Sequence, residues 1–250
     1  MSALRVVSDG PVYRVTLARP ARGNAFDAAL IGELTEAFAN VGDARVVVLA
    51  GEGQSFCAGA DVDWQRASVD LTKAENIEDA ARLYRMLAAI DECPAPVVAR
   101  VQGYALGGGS GIAACADVVV AGEDATFGFS EVKLGIIPAV ISPFVVARIG
   151  SAARRYFLTG ERFGAETALR IGLVDEVAPD PDVAVEGLLT EILSGGPHAV
   201  REAKRLLRDR PLAEDLPPIA ARLRASDEGQ EGLRAFLEKR VPAWRSGSSS

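Results

Sequence analysis

Apolar and polar positions alternate where the chain begins. In LRVVSDGPVYRVTLARP the apolar residues recur at every second place around Asp9-Gly10, which predicts two strands joined by a tight hairpin. The period then changes. Asp27 stands ahead of Leu30, Ile31, Leu34, Ala37, Phe38 and Val41, and steps of three and four predict an N-capped helix. RVVVLA (Arg45 to Ala50) and VVARV (Val97 to Val101) are short apolar runs of the kind shown by strands buried on both faces. Between them, AENIEDAARLYRMLAAIDEC is amphipathic at helical period and is stopped by Pro94 and Pro96. DVVVAG and TFGF predict two more short strands, and from Pro143 onward the period is helical apart from GLVDEV (Gly172 to Val177). Strand-strand-helix units first and a helix-rich region afterwards give an α/β fold: one domain of about 200 residues and a helical tail.

Bulk composition narrows the chemistry. With 250 residues, 49% hydrophobic and 24% charged, the chain is ordinary globular material. It is long enough to fold without disulfides or structural metal. A net charge of −7 argues against nucleic acid as a partner, so an anionic ligand has to be met by a few local cations and by backbone N–H groups. Cys57, Cys93 and Cys115 are odd in number and show no CxxC spacing, which reads as a reducing compartment without structural zinc. MSALRVVSDG has no signal-like apolar core, and Ile136 to Ala147 is too short for a membrane span and holds two prolines. The expectation is a cytoplasmic protein without membrane contact.

Gly107, Gly108 and Gly109 inside GYALGGGSGIAACADVVVA bring backbone close to something. No Lys follows them as a phosphate-binding loop requires, the spacing fails GxGxxG, and position 112 is Ile where GxSxG needs glycine. His198 is the single histidine and reads as a partly exposed structural residue. What remains is a nest of N–H donors ahead of a helix started by small residues, suited to an oxygen that gains charge; a plain glycine packing contact fits this stretch equally. SFCAGADV (Ser55 to Val62) leaves another buried strand in the same way, so two loops can each aim one N–H at a shared oxygen. FGFSEVKLGIIPA sets Glu131 among apolar neighbours, where burial raises a carboxyl pKa and suits it to proton transfer.

RPARGNAF, SFCAGADV, GYALGGGSGIAACADVVVA, FGFSEVKLGIIP, FLTGERFGAETALRIGLVDEV and EGLRAFLEKRVPAW, in this order, resemble the enoyl-CoA hydratase/isomerase (crotonase) superfamily from about residue 4 to residue 245. The resemblance implies a spiral of ββα turns over residues 1–195 and a helical C-terminal region over 196–245 that supports trimers and covers CoA; SGSSS at 246–250 reads by its composition as a disordered tail. The resemblance also implies an acyl-CoA thioester as ligand, no other cofactor, and a homotrimer or a dimer of trimers. The thioester oxygen maps between the N–H groups of Ala60 and Gly108, the catalytic glutamate onto Glu131, and the adenine pocket onto Ala58 to Val62. Ala139 falls where a family glycine N–H holds substrate or water, and Phe236 and Lys239 fall in a tail that closes the CoA site.

One departure from the family pattern matters. Two-carboxylate hydratases carry a glutamate three residues after the central glycine of GGG, and this chain has Gly111 there. Three readings stay open: a hydratase that uses Glu131 alone, a single-base enoyl-CoA isomerase, and an acyl-CoA binder without turnover. SEVKLGIIPAVISPFVVARIGSAARRYFLTGERF particularly resembles bacterial hydratases of branched, methylglutaconyl-type CoA esters from leucine and acyclic terpene breakdown. On that reading Gly111 leaves room for the substrate's own carboxylate or branch. Arg22 and Arg66 are candidates for a CoA phosphate, while Arg154 and Arg155 read as a solvated helix face. Trp64 and Tyr104 are candidates to wall the acyl channel. Asp61 reads as a helix cap that shapes the pocket, and Cys57 as a small apolar loop residue.

Overall fold

The computed structural model describes residues 2–246; of the tail expected at 246–250, residues 247–250 lie outside them. The hairpin forms as the alternation predicts, β1 (Leu4–Asp9) pairing antiparallel with β2 (Val12–Leu17). The chain then runs through α1 (Ala28–Ala39), β3 (Val46–Gly51), α2 (Val62–Ser68), α3 (Lys73–Asp91), β4 (Val97–Val101), β5 (Tyr104–Leu106) and α4 (Gly108–Ala114). β6 (Val118–Gly122), β7 (Thr126–Gly128), α5 (Ser142–Ile149), α6 (Ala153–Thr159), β8 (Arg162–Gly164), α7 (Ala165–Ile171) and β9 (Glu176–Ala178) follow. The chain ends in α8 (Pro181–Ser194), α9 (Pro197–Asp209), α10 (Leu216–Ala225), α11 (Asp227–Leu237) and α12 (Ala243–Ser246).

The main sheet has the order β1-β2-β3-β4-β6-β9 and is parallel from β2 onward. Successive side chains on a strand point to opposite faces. Val47, Leu49, Val97, Ala99 and Val119 therefore join the large core with α1 and α3, while Val46, Val48, Val98 and Val120 meet Val185 and Leu189 of α8. This two-sided burial explains why β3 and β4 read as unbroken apolar runs. Val185 and Leu189 are both nearly inaccessible, each worth roughly 1.5–3 kcal/mol of burial. A smaller sheet, β5-β7-β8, lies beside the carboxyl ends of the main strands and frames the cavity described below.

The helical C-terminal segment is fastened by polar contacts at its root. The Arg45 guanidinium donates to the carbonyls of Leu193 (2.9 Å) and Gly195 (2.6 Å). The buried Lys204 ammonium on α9 meets Asp117 at 2.7 Å and the Ala95 carbonyl at 3.2 Å. No described helix is long and apolar enough to cross a membrane.

The helical expectation beyond Pro143 needs two corrections. β8 interrupts it with three residues, and the GLVDEV strand is confined to Glu176–Ala178 because Gly172, at φ +86°, caps α7. α3 starts at Lys73, where Thr72 and Glu75 form a reciprocal capping box.

Candidate active site

β3 and β4 are parallel neighbours, so the chain leaves both at the same edge of the sheet, where open α/β sheets hold their ligands. The two exits are tied together. Cys57 N–H donates to the Tyr104 carbonyl (2.9 Å), and Leu106 N–H donates to the Cys57 carbonyl (3.0 Å). Phe26 straddles the next step: its N–H reaches the Gly59 carbonyl (2.9 Å), and its carbonyl accepts from Asp61 (2.8 Å). Such close approach demands glycine. At Gly59 (φ +97°) a Cβ would lie 2.7 Å from the Leu106 carbonyl oxygen, and Gly107 (φ +52°) adopts a turn that L side chains avoid.

This lacing uses the Gly59 carbonyl before Ala60 and the Asp61 N–H after it, and leaves the N–H of Ala60 itself free. Gly108 opens α4, so its N–H has no carbonyl one turn back to bond. Among the described residues, neither the Ala60 nor the Gly108 N–H donates to a protein acceptor. Both residues line one cavity of about 660 Å³. Glu131 lines it too, at the start of a short 3-10 turn (Glu131–Leu134). Its Oε1 lies against Gly107, where a Cβ would come within 3.1 Å. Its Oε2 is buried without a hydrogen-bond partner. Burial pushes the Glu131 carboxyl above its ordinary range, and only its own backbone N–H opposes this. The arrangement offers two unspent donors beside one unspent acid, within walls formed by Leu134, Ile136, Ile137, Val140 and Ile141.

The other sequence candidates scatter. Ala58 and Trp64 line the cavity, Trp64 with its ring edge-on to Phe26 at 5.8 Å. Asp61 is buried behind the loop and does not line it. It caps α2 through Asp63 N–H (2.9 Å) and takes Arg19 (3.0 Å) and Arg22 (2.9 Å); hydrogen bonding from Arg22 holds its carboxyl below the usual range. Arg22 pairs with Asp61 and Asp63 and Arg66 with Asp63, and neither arginine lines the cavity. Val62 is exposed outside the cavity. Tyr104 lies on another face beside Arg162 and does not wall the acyl channel. Ala139 does line the cavity, but its N–H is spent on the Ile137 carbonyl at 2.8 Å, so in this conformation it cannot hold water or substrate. Phe236 and Lys239 are exposed and apart from the cavity of their own chain.

Gly111 requires the largest correction. It is buried and leaves no room: a Cβ there would lie 2.4 Å from Cγ2 of Ile141, whose side chain is itself buried. The position of the absent second carboxylate is backed by an isoleucine. Cys57 is inert, fully buried with its thiol pushed up to about 12. His198 is exposed, and its backbone N–H donates to Glu228. Arg154 and Arg155 are exposed on α6.

Of the lining residues that escaped the sequence reading, three bear on the chemistry. Ile141 is silent because nothing in the chain pairs it with Gly111. Arg162 sits in GERFGAE without a pattern of its own, yet it lines the cavity and makes no ion pair among the described residues. Asp79 also lines the cavity, and it did leave a signal: it breaks the apolar stripe of α3.

The enoyl-CoA hydratase/isomerase family pattern matches residues 8–247. The chain is 36% identical over 260 residues to the 2,3-dehydroadipyl-CoA hydratase of Escherichia coli K12, covering 98% of this chain and 99% of that one. It is 30% identical to the carnitinyl-CoA dehydratase of Salmonella typhi, over 97% and 98% of the two chains. Among solved structures, an enoyl-CoA hydratase from Shewanella pealeana matches with TM-score 0.92 and 39% identity over 97% of this chain and 96% of that one. Pseudomonas aeruginosa AtuE matches with TM-score 0.93 and 36% identity over 97% and 99%.

Proposed function

Because the chain belongs to the enoyl-CoA hydratase/isomerase family, we propose that it is a hydro-lyase that adds water across the double bond of an enoyl-CoA thioester. The observation that carries this reading is the pair of unspent N–H groups at Ala60 and Gly108 on one cavity with the Glu131 carboxyl, whose Oε2 has no hydrogen-bond partner.

The thioester oxygen accepts from both N–H groups, which draws electrons from the conjugated system and leaves the β-carbon electrophilic. Glu131 carboxylate takes a proton from water as the water oxygen bonds to that carbon. The electron pair of the double bond moves onto the thioester oxygen as an enolate, held by the two N–H groups. The enolate collapses, and Glu131 returns its proton to the α-carbon. One acid thus serves both proton transfers, and the sum is addition of one water. Losing one such N–H donor raises the barrier by on the order of 2.7–4 kcal/mol.

The cavity walls favour a chain that is apolar next to the reacting carbons, branched chains included. A glutaconyl-type carboxylate finds no space beside Gly111, where Ile141 stands. Arg162 is the lining cation without an ion pair among the described residues, and we assign it to the anionic CoA portion. The exposed apolar side chains of Leu207, Leu212, Phe236 and Leu237 suit subunit contacts in a homotrimer or dimer of trimers. Three free buried thiols are in keeping with a cytoplasmic setting.

A second reading has a specific support: a lone carboxyl is enough to shuttle one proton along an acyl chain, as double-bond isomerisation requires. Enoyl-thioester absorbance separates the two. Hydration removes the conjugated absorbance of a 2-enoyl-CoA, and isomerisation creates it from a 3-enoyl-CoA. Wild type is expected to hydrate, and Glu131→Gln to lose about 10²-fold or more of that rate. Undiminished hydration by the variant would assign the proton to another group.

A further inference from the structure

The face of α3 that meets the cavity changes character along its length. Leu83, Met86, Leu87 and Ile90 make an apolar stripe at helical spacing. Continued toward the start of the helix, the stripe passes through Ala80, Asp79 and Asn76, all of which line the cavity. Asp79 is half-buried, yet it has no hydrogen bond or ion pair among the described residues. Arg82, one turn on and lining an adjoining cleft with Asp79, is turned to Glu78 at 3.6 Å.

The side-chain amides and the hydroxyl nearest Asp79 are already engaged. Asn76 Nδ2 donates to the carbonyls of Leu71 and Thr72, both at 3.1 Å. Ser68 Oγ donates to the Gln65 carbonyl at 2.7 Å, and Gln65 Nε2 reaches the Ala60 carbonyl at 3.5 Å. Apart from the Trp64 indole N–H, what this wall still offers is acceptors: the Asp79 carboxylate, Asn76 Oδ1 and Gln65 Oε1. A CoA moiety carries several negative charges and is drawn to Arg162, so the acyl chain is the part left to face the acceptor wall. A hydroxyl there satisfies the carboxylate, whereas a second carboxylate meets like charge in a partly desolvated place.

We propose that Asp79 determines acyl-chain specificity, accepting a hydrogen bond from a hydroxyl on the distal part of the chain and disfavouring a distal carboxylate. The inference rests on the acyl-CoA reading of the cavity given above. It is tested with ω-hydroxy-2-enoyl-CoA esters of increasing length against the matching ω-carboxy esters, on wild type, Asp79→Asn and Asp79→Lys. Two readouts are taken: kcat/KM, and the calorimetric Kd of the saturated esters. At the best chain length, wild type is expected to favour hydroxy over carboxy by about tenfold or more in both. Asp79→Asn brings the ratio toward one, and Asp79→Lys reverses it. A ratio that is the same in all three proteins, or a wild-type preference for the carboxy esters, overturns the proposal. Absence of turnover with every ester would remove the hydratase reading alone, because the Kd ratios still decide on Asp79. Circular dichroism checks folding, with Asp79→Ser as the replacement for a variant that does not fold.

Discussion

Glu131 is held in an unfavourable place for a charged group. Its carboxyl is raised by burial, so between the ordinary carboxylate range and the raised value the folded chain keeps a proton that the unfolded chain has lost. The associated stability is complete below the ordinary range and falls as pH rises through that window. Glu131→Gln removes the burden of burying the charge. The variant is expected to melt above wild type, by a margin that widens from about pH 4 to about pH 8. Calorimetry at the two pH values reads this, and a margin that is equal or shrinks toward alkaline pH would contradict it. The same residue was legible before any coordinates, since GFSEVKLGII surrounds one acid with apolar neighbours. The ion pair of Arg22 was not legible. Sequence proximity to a loop does not reveal that Asp61, across the fold, already claims its guanidinium.

At the scale of elements, the site is a consequence of two parallel strands ending side by side. The apolar runs of β3 and β4 and the small residues after each were readable, and so were the hairpin, α1 and α3. β5 and β8 were not: Tyr104–Leu106 merges into the glycine run, and Arg162–Gly164 lies in a stretch that otherwise reads as helical. Their place is set instead by β7, which pairs with both. The packing of α4 against α5 was equally hidden, and with it the meaning of Gly111. The expectation of open space there arose from the missing side chain alone, but in a close-packed interior a neighbour fills it. Gly111→Ala would drive its Cβ into Ile141 and is expected to lower the unfolding free energy by about 1–3 kcal/mol. Urea denaturation measures the loss; an unchanged midpoint at unchanged slope would mean the contact is slack.

For the whole molecule, one chain leaves an apolar surface on its C-terminal helices, with Phe236 80% and Leu237 76% exposed. Patches of this kind mark sites of association. Sedimentation equilibrium is expected to return the mass of three or six chains, and a monomer at micromolar concentration would contradict the assembly. The layered α/β order was visible from periodicity, whereas the assembly was implied only by resemblance, since exposure cannot be read from a helical stripe without its partners.

The proposed hydration depends on Ala60 and Gly108 donating to one thioester oxygen. Vibrational difference spectroscopy of a bound 2-enoyl-CoA, with the thioester carbonyl isotopically labelled, measures this most directly. Two hydrogen bonds to the carbonyl lower its stretching frequency well below that of the free ester in water. A bound ester whose carbonyl frequency equals or exceeds the free value would show that the two N–H groups do not hold it.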